Sequence, residues 1–348
     1  MSSKVRCAVI GLGMGRNHAK GYQECPDAEL CAVADLDPNR LAEWASTVGQ
    51  EHCYTDHFKM LKVEKPDLVS VALPNCLHAP TTLECLKAGA HVLCEKPMAM
   101  NVAQAQRMAD TARKKRRKLG INLSYRFTPA ARALKDLADD GFLGTPYHAL
   151  TRWTRRDGFP KFGGWFGLKA MSGGGPLIDL GVHRIDLAMW LLGKVRPVSV
   201  SGAAHERIAQ AKAKKQKAKF DCEDLACGFI RFDNGASLVL EISWGGHQGD
   251  AESMNTTVMG TAGTLVHRNE NGTYQFVGEF HTERNGQKLS GTVQVSKSGN
   301  LSSYADMVEA VRKNREPLGG PEDGLRVQRV LDGLYRSAAT GREVRITA

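Results

Sequence analysis

Three groups of residues have types and spacings that suit chemistry. The first is Gly11-Leu12-Gly13-Met14-Gly15, which follows the apolar run Val5 to Ile10 and precedes a helical pattern. In that setting Gly11 permits a tight turn and Gly13 lets backbone amides approach a pyrophosphate. The helix beginning near Gly15 offers unpaired N–H groups and a positive dipole end. The spacing departs from G-x-G-x-x-G, because Arg16 holds the sixth position and the third glycine comes one residue early. A plain packing loop between strand and helix is the alternative. Asp35 closes the next apolar run, 24 residues beyond Gly11. A carboxylate there bonds the adenosine ribose hydroxyls and repels a 2′-phosphate, which favours NAD over NADP. Arg40 nearby keeps NADP as the lesser alternative, and a helix cap is the structural alternative for Asp35.

The second group is Asp179 and His183, four residues apart on a helix predicted over Pro176 to Leu192 and so on one face. An imidazole with an unperturbed pKa near 6.5 suits general base work. Gly173-Gly174-Gly175 ahead of Pro176 implies that the helix start comes close to another surface. Gly181 inside the helix costs roughly 1 kcal/mol against alanine, a cost that a close approach by substrate or nicotinamide would explain. The third is Lys96, just after the apolar run His91 to Cys94, where the open end of a parallel sheet meets its ligand. A lysine before a proline is also often an ordinary surface residue.

The elements that must position these groups fall into two sets. Over the first 120 residues, apolar runs at Val5–Ile10, Leu30–Ala34, Leu68–Leu73 and His91–Cys94 alternate with helical patterns. The helices are predicted at Asn17–Glu24, Asn39–Val48, His57–Leu61, Pro80–Ala88 and Val102–Lys118. Alternation of this kind implies βαβ units and a parallel sheet covered on both faces. The later part predicts helices at Pro129–Asp140, Pro176–Leu192, Ser302–Asn314 and Gly324–Thr340. Its strand candidates are Pro146–Trp153, Asp224–Phe232, Ala236–Trp244, Ser253–Met259, Gly263–Val266 and Gly291–Val295. Asp233-Asn234-Gly235 between two of them is a hairpin signal. The fold class is therefore α/β. A doubly wound Rossmann domain over residues 1–123 precedes an α+β domain over 124–348 with a largely antiparallel sheet. The last helix, 324–340, is expected to pack back on the first domain.

The chain has 348 residues, 42% hydrophobic and 24% charged, as in a soluble globular protein. Its net charge is +10, and half of that excess lies between His205 and Phe220, where six cations face only Glu206. The low-complexity stretch 209–219 reads as a solvated, mobile insertion, with a contact to an anionic partner as the alternative. The run Arg113 to Lys118 lies in the last turns of a helix, where cations complement the dipole. No nucleic-acid partner is expected. No apolar stretch reaches the roughly 20 residues that span a bilayer. Met1-Ser2-Ser3-Lys4-Val5-Arg6 shows no signal-peptide pattern. Nine cysteines without a C-x-x-C pair read as core residues in a reducing cytoplasm, and no metal site is expected.

Longer motifs narrow the reading. They are Leu73-Pro74-Asn75-Cys76-Leu77-His78, Ala88 to Pro97 with Glu95-Lys96-Pro97, Tyr125-Arg126-Phe127, and Gly173 to His183 with Asp179-x-Gly181-x-His183. Together they resemble the Gfo/Idh/MocA oxidoreductase family, over essentially the whole chain. The resemblance implies a Rossmann domain followed by an α/β domain whose open sheet forms homodimers or homotetramers. It also implies oxidation of a secondary hydroxyl of a sugar or cyclitol with NAD or NADP. The family's lysine maps onto Lys96, with a cis bond to Pro97, and its aspartate–histidine pair maps onto Asp179 and His183. Arg152 to Pro160 and Trp165-Phe166 look like members that oxidise glucosides or inositols.

Hydride transfer from a carbinol needs a nicotinamide about 3–3.5 Å from the reacting carbon, a base for the hydroxyl proton and a positive group for the developing alkoxide. Lys96 and His183 supply the last two, with Asp179 orienting the imidazole or binding a substrate hydroxyl. Pro74, Asn75 and His78 are assigned to the nicotinamide side of the cleft, with Met14, Glu95 and Lys96 among the cofactor contacts. Arg126, Arg152, Arg155, Asp157, Lys161 and Trp165 are the substrate-pocket candidates. Two other classes compete: a glycosidase that retains NAD and oxidises its substrate transiently, and a non-catalytic dinucleotide sensor.

Overall fold

The computed structural model describes residues 4–294 and 302–347. The chain folds as two compact units that divide after Leu123. In the first, β1 (Val5–Ile10), α1 (Gly15–Gln23), β2 (Ala28–Ala34), α2 (Pro38–Val48), β3 (Cys53–Tyr54), α3 (His57–Glu64), β4 (Leu68–Val71), α4 (Asn75–Ala88), β5 (His91–Cys94), α5 (Val102–Lys115) and β6 (Leu119–Ile121) alternate strand and helix. The six strands are parallel, in the order β3-β2-β1-β4-β5-β6. Val9, Ala32, Val69 and Val92 are fully buried, as unbroken apolar runs require. The strand order reverses between β1 and β4, and the loops after their carboxyl ends are the glycine loop and Ala72-Leu73-Pro74. That switch point is where open α/β sheets bind ligands.

The second unit contains α6 (Pro129–Asp139), β7 (Pro146–Arg155), α7 (Lys169–Ser172), α8 (Val182–Leu192), β8 (Pro197–His205), α9 (Arg207–Lys215), β9 (Leu225–Phe232), β10 (Ser237–Ser243), β11 (Glu252–Gly260), β12 (Gly263–Asn269), β13 (Phe276–Arg284) and β14 (Gln287–Thr292). Then come α10 (Ser303–Arg312), α11 (Pro321–Thr340) and β15 (Val344–Arg345). The nine-stranded sheet runs β14-β13-β12-β11-β7-β10-β9-β8-β15. It is antiparallel except where β10 pairs with β7. Inward-facing Ala149, Thr151 and Trp153 of β7 are buried, while Leu150 on the other face is 43% exposed.

Several expectations change. The chain returns to the first unit through α10 and the first residues of α11, not through 324–340 as a whole. Tyr304 of α10 fits against Gly21, where a Cβ would lie 2.2 Å from its ring. Most of α11 lies in the second unit, with Leu334 over Gly202 and Gly228 of its sheet. α4 starts at Asn75, with Pro80 inside it instead of at its start. β8 was missed although Val198-Ser199-Val200-Ser201 alternates, and β13 carries no clear alternation. The predicted strand Gly291–Val295 is the end of β14, and Val295 lies outside the described residues. The β9–β10 hairpin turns with only Gly235 at positive φ (+83°), so the turn is the glycine-closed three-residue kind. The lysine-rich stretch is not a mobile insertion: it forms α9, with Ala209 and Ala213 buried. Among the described residues, no helix is long and apolar enough to cross a membrane.

Candidate functional site

In the first unit the site is built from backbone. Gly11 sits at φ +89°, and a Cβ there would lie 2.4 Å from the Ala72 carbonyl oxygen. A Cβ on Gly13 would meet only an Arg40 nitrogen at 3.8 Å, so this face of the loop is open. α1 has no side-chain cap and no acidic residue in its first turn, and Met14 before it is 59% exposed. Its first turn therefore has no side-chain cap and no acidic neighbour to offset its positive dipole end. Gly15 does what the third glycine of the fingerprint does. A Cβ there would lie 2.8 Å from Val9, so its absence lets α1 pack close on β1 despite the shorter spacing.

Asp35 accepts hydrogen bonds from the amides of Leu12 (2.6 Å) and Asp37 (2.8 Å), which fixes its carboxylate beside the glycine loop. It is not the cap of α2, since Asp37 accepts from the Asn39 amide in that role. Arg40 reaches both acids, at 3.4 Å from Asp35 and 3.6 Å from Asp37, so its charge is already balanced by carboxylates. An open glycine cradle, an uncapped helix start and a fixed carboxylate at the end of β2 fit a dinucleotide with a free 2′-hydroxyl. Gly11, Gly13, Met14 and Gly15 would hold its phosphates, and Asp35 its ribose.

At the ends of β4 and β5 the structure adds a buried polar network. Glu95 accepts from His18 (2.8 Å), the Asn122 amide group (2.6 Å) and the Lys96 backbone N–H (3.1 Å). Ser70 bridges His18 and Tyr22 at 2.9 and 2.6 Å. Burial would raise the Glu95 pKa, but hydrogen bonding to His18 and the charges of His18 and Lys96 outweigh it and bring it down to about 2. Glu95 is thus an ionised anchor for the backbone of Lys96, whose bond to Pro97 is cis. His78 is 1% exposed and cannot line a cleft. Its ring nitrogens face the carbonyls of Pro97 (2.7 Å) and Leu73 (2.8 Å), so it ties the β4 loop to the Lys96 loop. Asn75 is buried beside it in the first turn of α4. His18, Tyr22, Ser70 and Asn122 were not singled out by spacing, since they come together only when the sheet forms.

In the second unit the site is built from side chains. Leu177–Gly181 is a π-helical turn leading into α8. Such turns recur at functional sites. The glycines before it let two groups in. A Cβ on Gly174 would lie 2.0 Å from the Tyr335 hydroxyl, and one on Gly175 would lie 2.1 Å from the Glu223 carbonyl. The Glu223 carboxylate accepts from the amides of Gly175 (2.8 Å) and Leu177 (3.2 Å) and from Tyr335 (2.8 Å). Gly181 is explained differently than expected. Its near neighbours are Leu177 (3.1 Å) and Ile242 of β10 (3.6 Å), so it is a packing glycine and not a seat for substrate or nicotinamide.

Asp179 is half-buried and accepts from the Trp244 indole N–H at 2.9 Å. His183 is 7% exposed, with ring centroids 4.8 Å from Tyr125 and 6.0 Å from Trp153. The fully buried Arg184 lies over the same two rings, at 4.4 and 5.1 Å. Trp244 and Arg184 are site neighbours that carried no local sequence signal, while Tyr125 and Trp153 lay within quoted motifs without a role assigned to them.

The substrate-pocket candidates separate. Arg126 makes two bonds to the buried Asp186, at 2.9 and 2.5 Å, so its charge is spent inside the fold. Arg152 lies on the open face of the sheet, opposite Trp153, and pairs with Glu241 at 3.3 Å; strand alternation turns it away from α8. Both leave the candidate set. Arg155 bonds Glu252 and the Tyr274 hydroxyl, each at 2.7 Å, and stays on the face that carries Trp153. Asp157 pairs with Lys212 at 2.6 Å, Lys161 is exposed, and Trp165 lies tilted against Phe166 with ring centroids 4.3 Å apart.

Similarity to known proteins agrees with this architecture. Residues 5–123 match a family profile described as an oxidoreductase family, NAD-binding Rossmann fold. Residues 135–346 match its C-terminal alpha/beta domain. The chain is 34% identical to D-glucoside 3-dehydrogenase of Escherichia coli, covering 99% of this chain and 98% of that one. It is 27% identical to myo-inositol 2-dehydrogenase of Thermotoga maritima, over 92% of each. The crystal structure of GenD2 from gentamicin A biosynthesis, in complex with NAD, superposes with a TM-score of 0.80 at 27% identity, covering 100% of this chain and 98% of that one. The chain is an oxidoreductase with an N-terminal NAD-binding Rossmann domain, and it belongs to the Gfo/Idh/MocA family.

Proposed function

We propose that this protein oxidises a secondary hydroxyl of a sugar, glucoside or cyclitol. The observation that supports this most is the seating of Asp179 and His183. The carboxylate is held by an indole and the imidazole by two aromatic rings, in a chain 34% identical end to end to a glucoside dehydrogenase. NAD, when bound, supplies the hydride acceptor. Lys96, with its backbone held by Glu95, stabilises negative charge on the substrate oxygen. His183 takes the hydroxyl proton, and the Asp179 carboxylate, held by Trp244, binds a neighbouring hydroxyl. Arg155, Asp157, Lys161 and Trp165 are proposed to contact the rest of the polyol.

The open face of the nine-stranded sheet, with Leu150 and Arg152 on it, is proposed to join copies of the chain as a homodimer or homotetramer. Nine free cysteines and no disulfide among the described residues support a reducing cytoplasm. The function is tested by following NADH formation with methyl glucosides, free sugars and inositols, with NADP in parallel. Reduction of NAD by at least one glucoside or inositol is expected. Release of aglycone from aryl glucosides without net reduction would replace this reading with the NAD-retaining glycosidase.

A further inference from the structure

We propose that the lysine-rich helix α9 is a specificity element: with the loop 157–167 it seats Trp244, and Trp244 fixes the carboxylate of Asp179. This inference rests on the proposed role of Asp179 at the substrate. Of the cations in and around α9, Lys212 is turned inward and half-buried, while Arg207, Lys214, Lys215, Lys217 and Lys219 are exposed. Lys212 pairs with Asp157 and lies 4.8 Å from the centre of the Phe159 ring. Charge pair and cation–π contact together hold the 157–159 turn against the helix.

From that turn an aromatic series runs inward. Phe159 to Phe162 is 5.8 Å, Phe162 to Phe220 is 5.0 Å, and both Phe220 and Phe166 lie 6.1 Å from Trp244. The backbone follows the same route. The Gly158 amide donates to the Trp244 carbonyl at 2.6 Å. A Cβ on Gly245 would lie 2.2 Å from the Phe159 ring, so a glycine is needed there. Asp224 joins the two ends: its carboxylate accepts from the Ala209 amide in the first turn of α9 (2.7 Å), and its carbonyl accepts from the Trp244 amide (3.0 Å). Trp244 is 1% exposed, and its indole N–H, its side chain's sole donor, is given to Asp179. A displacement of α9 therefore reaches Asp179 through packed rings and two backbone bonds. Trp244 and Lys212 are positioning residues in this scheme.

The test compares Lys212→Met, Lys212→Arg, Trp244→Phe and Asp179→Asn with the parent, using methyl β-D-glucopyranoside and myo-inositol as donors and NAD as acceptor. Lys212→Met should raise the KM for the glucoside about fivefold, leave kcat within about twofold, and change the glucoside-to-inositol ratio of kcat/KM. Lys212→Arg should restore all three. Trp244→Phe should raise KM about tenfold, the loss expected for one hydrogen bond to a charged group. Lys212 is only half-buried, so its variants remain informative if Trp244→Phe does not fold. If Asp179→Asn loses activity while the Lys212 variants keep KM and ratio within twofold, the inference is overturned and the functional reading stands. A fall in kcat with KM unchanged overturns it too. Asp179→Asn with parental kinetics, or a parent that reduces NAD with none of the glucosides, free sugars or inositols, overturns the functional reading itself.

Discussion

The two units build their sites in opposite ways. In the first, the groups proposed to face the dinucleotide are main-chain amides at Gly11 to Gly15 and the Asp35 carboxylate, within 25 residues of sequence, and Lys96 is added as a reacting side chain. In the second, the groups are side chains brought from across the fold: Asp179 and His183 on a π turn and helix, Tyr125 from before α6, Trp153 from β7 and Trp244 after β10. A backbone cradle is fixed by local turn geometry and tolerates a one-residue change of spacing, as Gly15 shows. A side-chain site is fixed by packing at long range, so it depends on residues far apart in sequence.

The sharpest test of this contrast is removal of the reacting groups. His183→Ala should lower kcat/KM about 10³-fold, the usual worth of a positioned acid–base group. Lys96→Met should lower kcat about 10²–10³-fold. In His183→Ala the dissociation constant for NADH, read from its fluorescence, should stay within about threefold of the parent, because the backbone cradle is untouched. A large loss of NADH affinity would break the division of labour.

The next effect is one of stability. Arg126→Met removes the two-bonded cationic partner of the buried Asp186 and should cost about 3–5 kcal/mol in chemical denaturation. The KM of the protein that remains folded should not change. A raised KM with unchanged stability would return Arg126 to the substrate pocket.

Acid should expose the units differently. Burial, reinforced by the charge of Arg184, lowers the His267 pKa to about 3. A base held neutral in the fold adds stability above its unfolded pKa near 6.5, and that stability is lost as pH falls from there toward 3. Glu95 is lowered to about 2, so its contribution is present above about 4.5 and is lost between there and 2. The second unit should therefore begin to weaken at higher pH. Unfolding free energies measured from pH 7 to 3 should flatten in His267→Gln below pH 6.5, and in Glu95→Gln only below about 4.5. Identical profiles for the two variants would contradict these assignments.

The smallest effect concerns cofactor choice. Asp35→Ser should raise the KM for NAD about tenfold and improve NADP, because Arg40 loses one of its two carboxylates. Unchanged preference would mean that Asp35 serves only the Leu12 and Asp37 amides.

What the amino-acid pattern revealed follows the same contrast. The Rossmann strands were legible as unbroken apolar runs, and Gly11, Gly13 and Asp35 as a local signature. Asp179 and His183 were named from a four-residue spacing on an α-helix, but Asp179 lies in a π turn before α8, which that period does not foretell. Trp244 and Glu223 were not legible, since nothing near them in sequence shows that one reaches Asp179 and the other the amides before the π turn. The stretch 209–219 misled through composition: its lysines suggest solvent, while Ala209 and Ala213, four residues apart, form the stripe that buries the helix. Arg126 and Arg152 misled through residue type. An arginine near a substrate loop suits a polyol, but Asp186 in the core and Glu241 on the neighbouring strand had already taken them.

The central claim is hydride transfer from a polyol carbon with Lys96 and His183 in attendance. It is tested most directly with a methyl glucoside deuterated at every ring carbon, incubated with the parent enzyme and NAD. The account predicts reduced nicotinamide carrying one deuterium, with Lys96→Met and His183→Ala forming it about 10²–10³ times more slowly. Unlabelled or absent NADH beside a consumed glucoside, or labelled NADH formed at the parental rate by both variants, would contradict it.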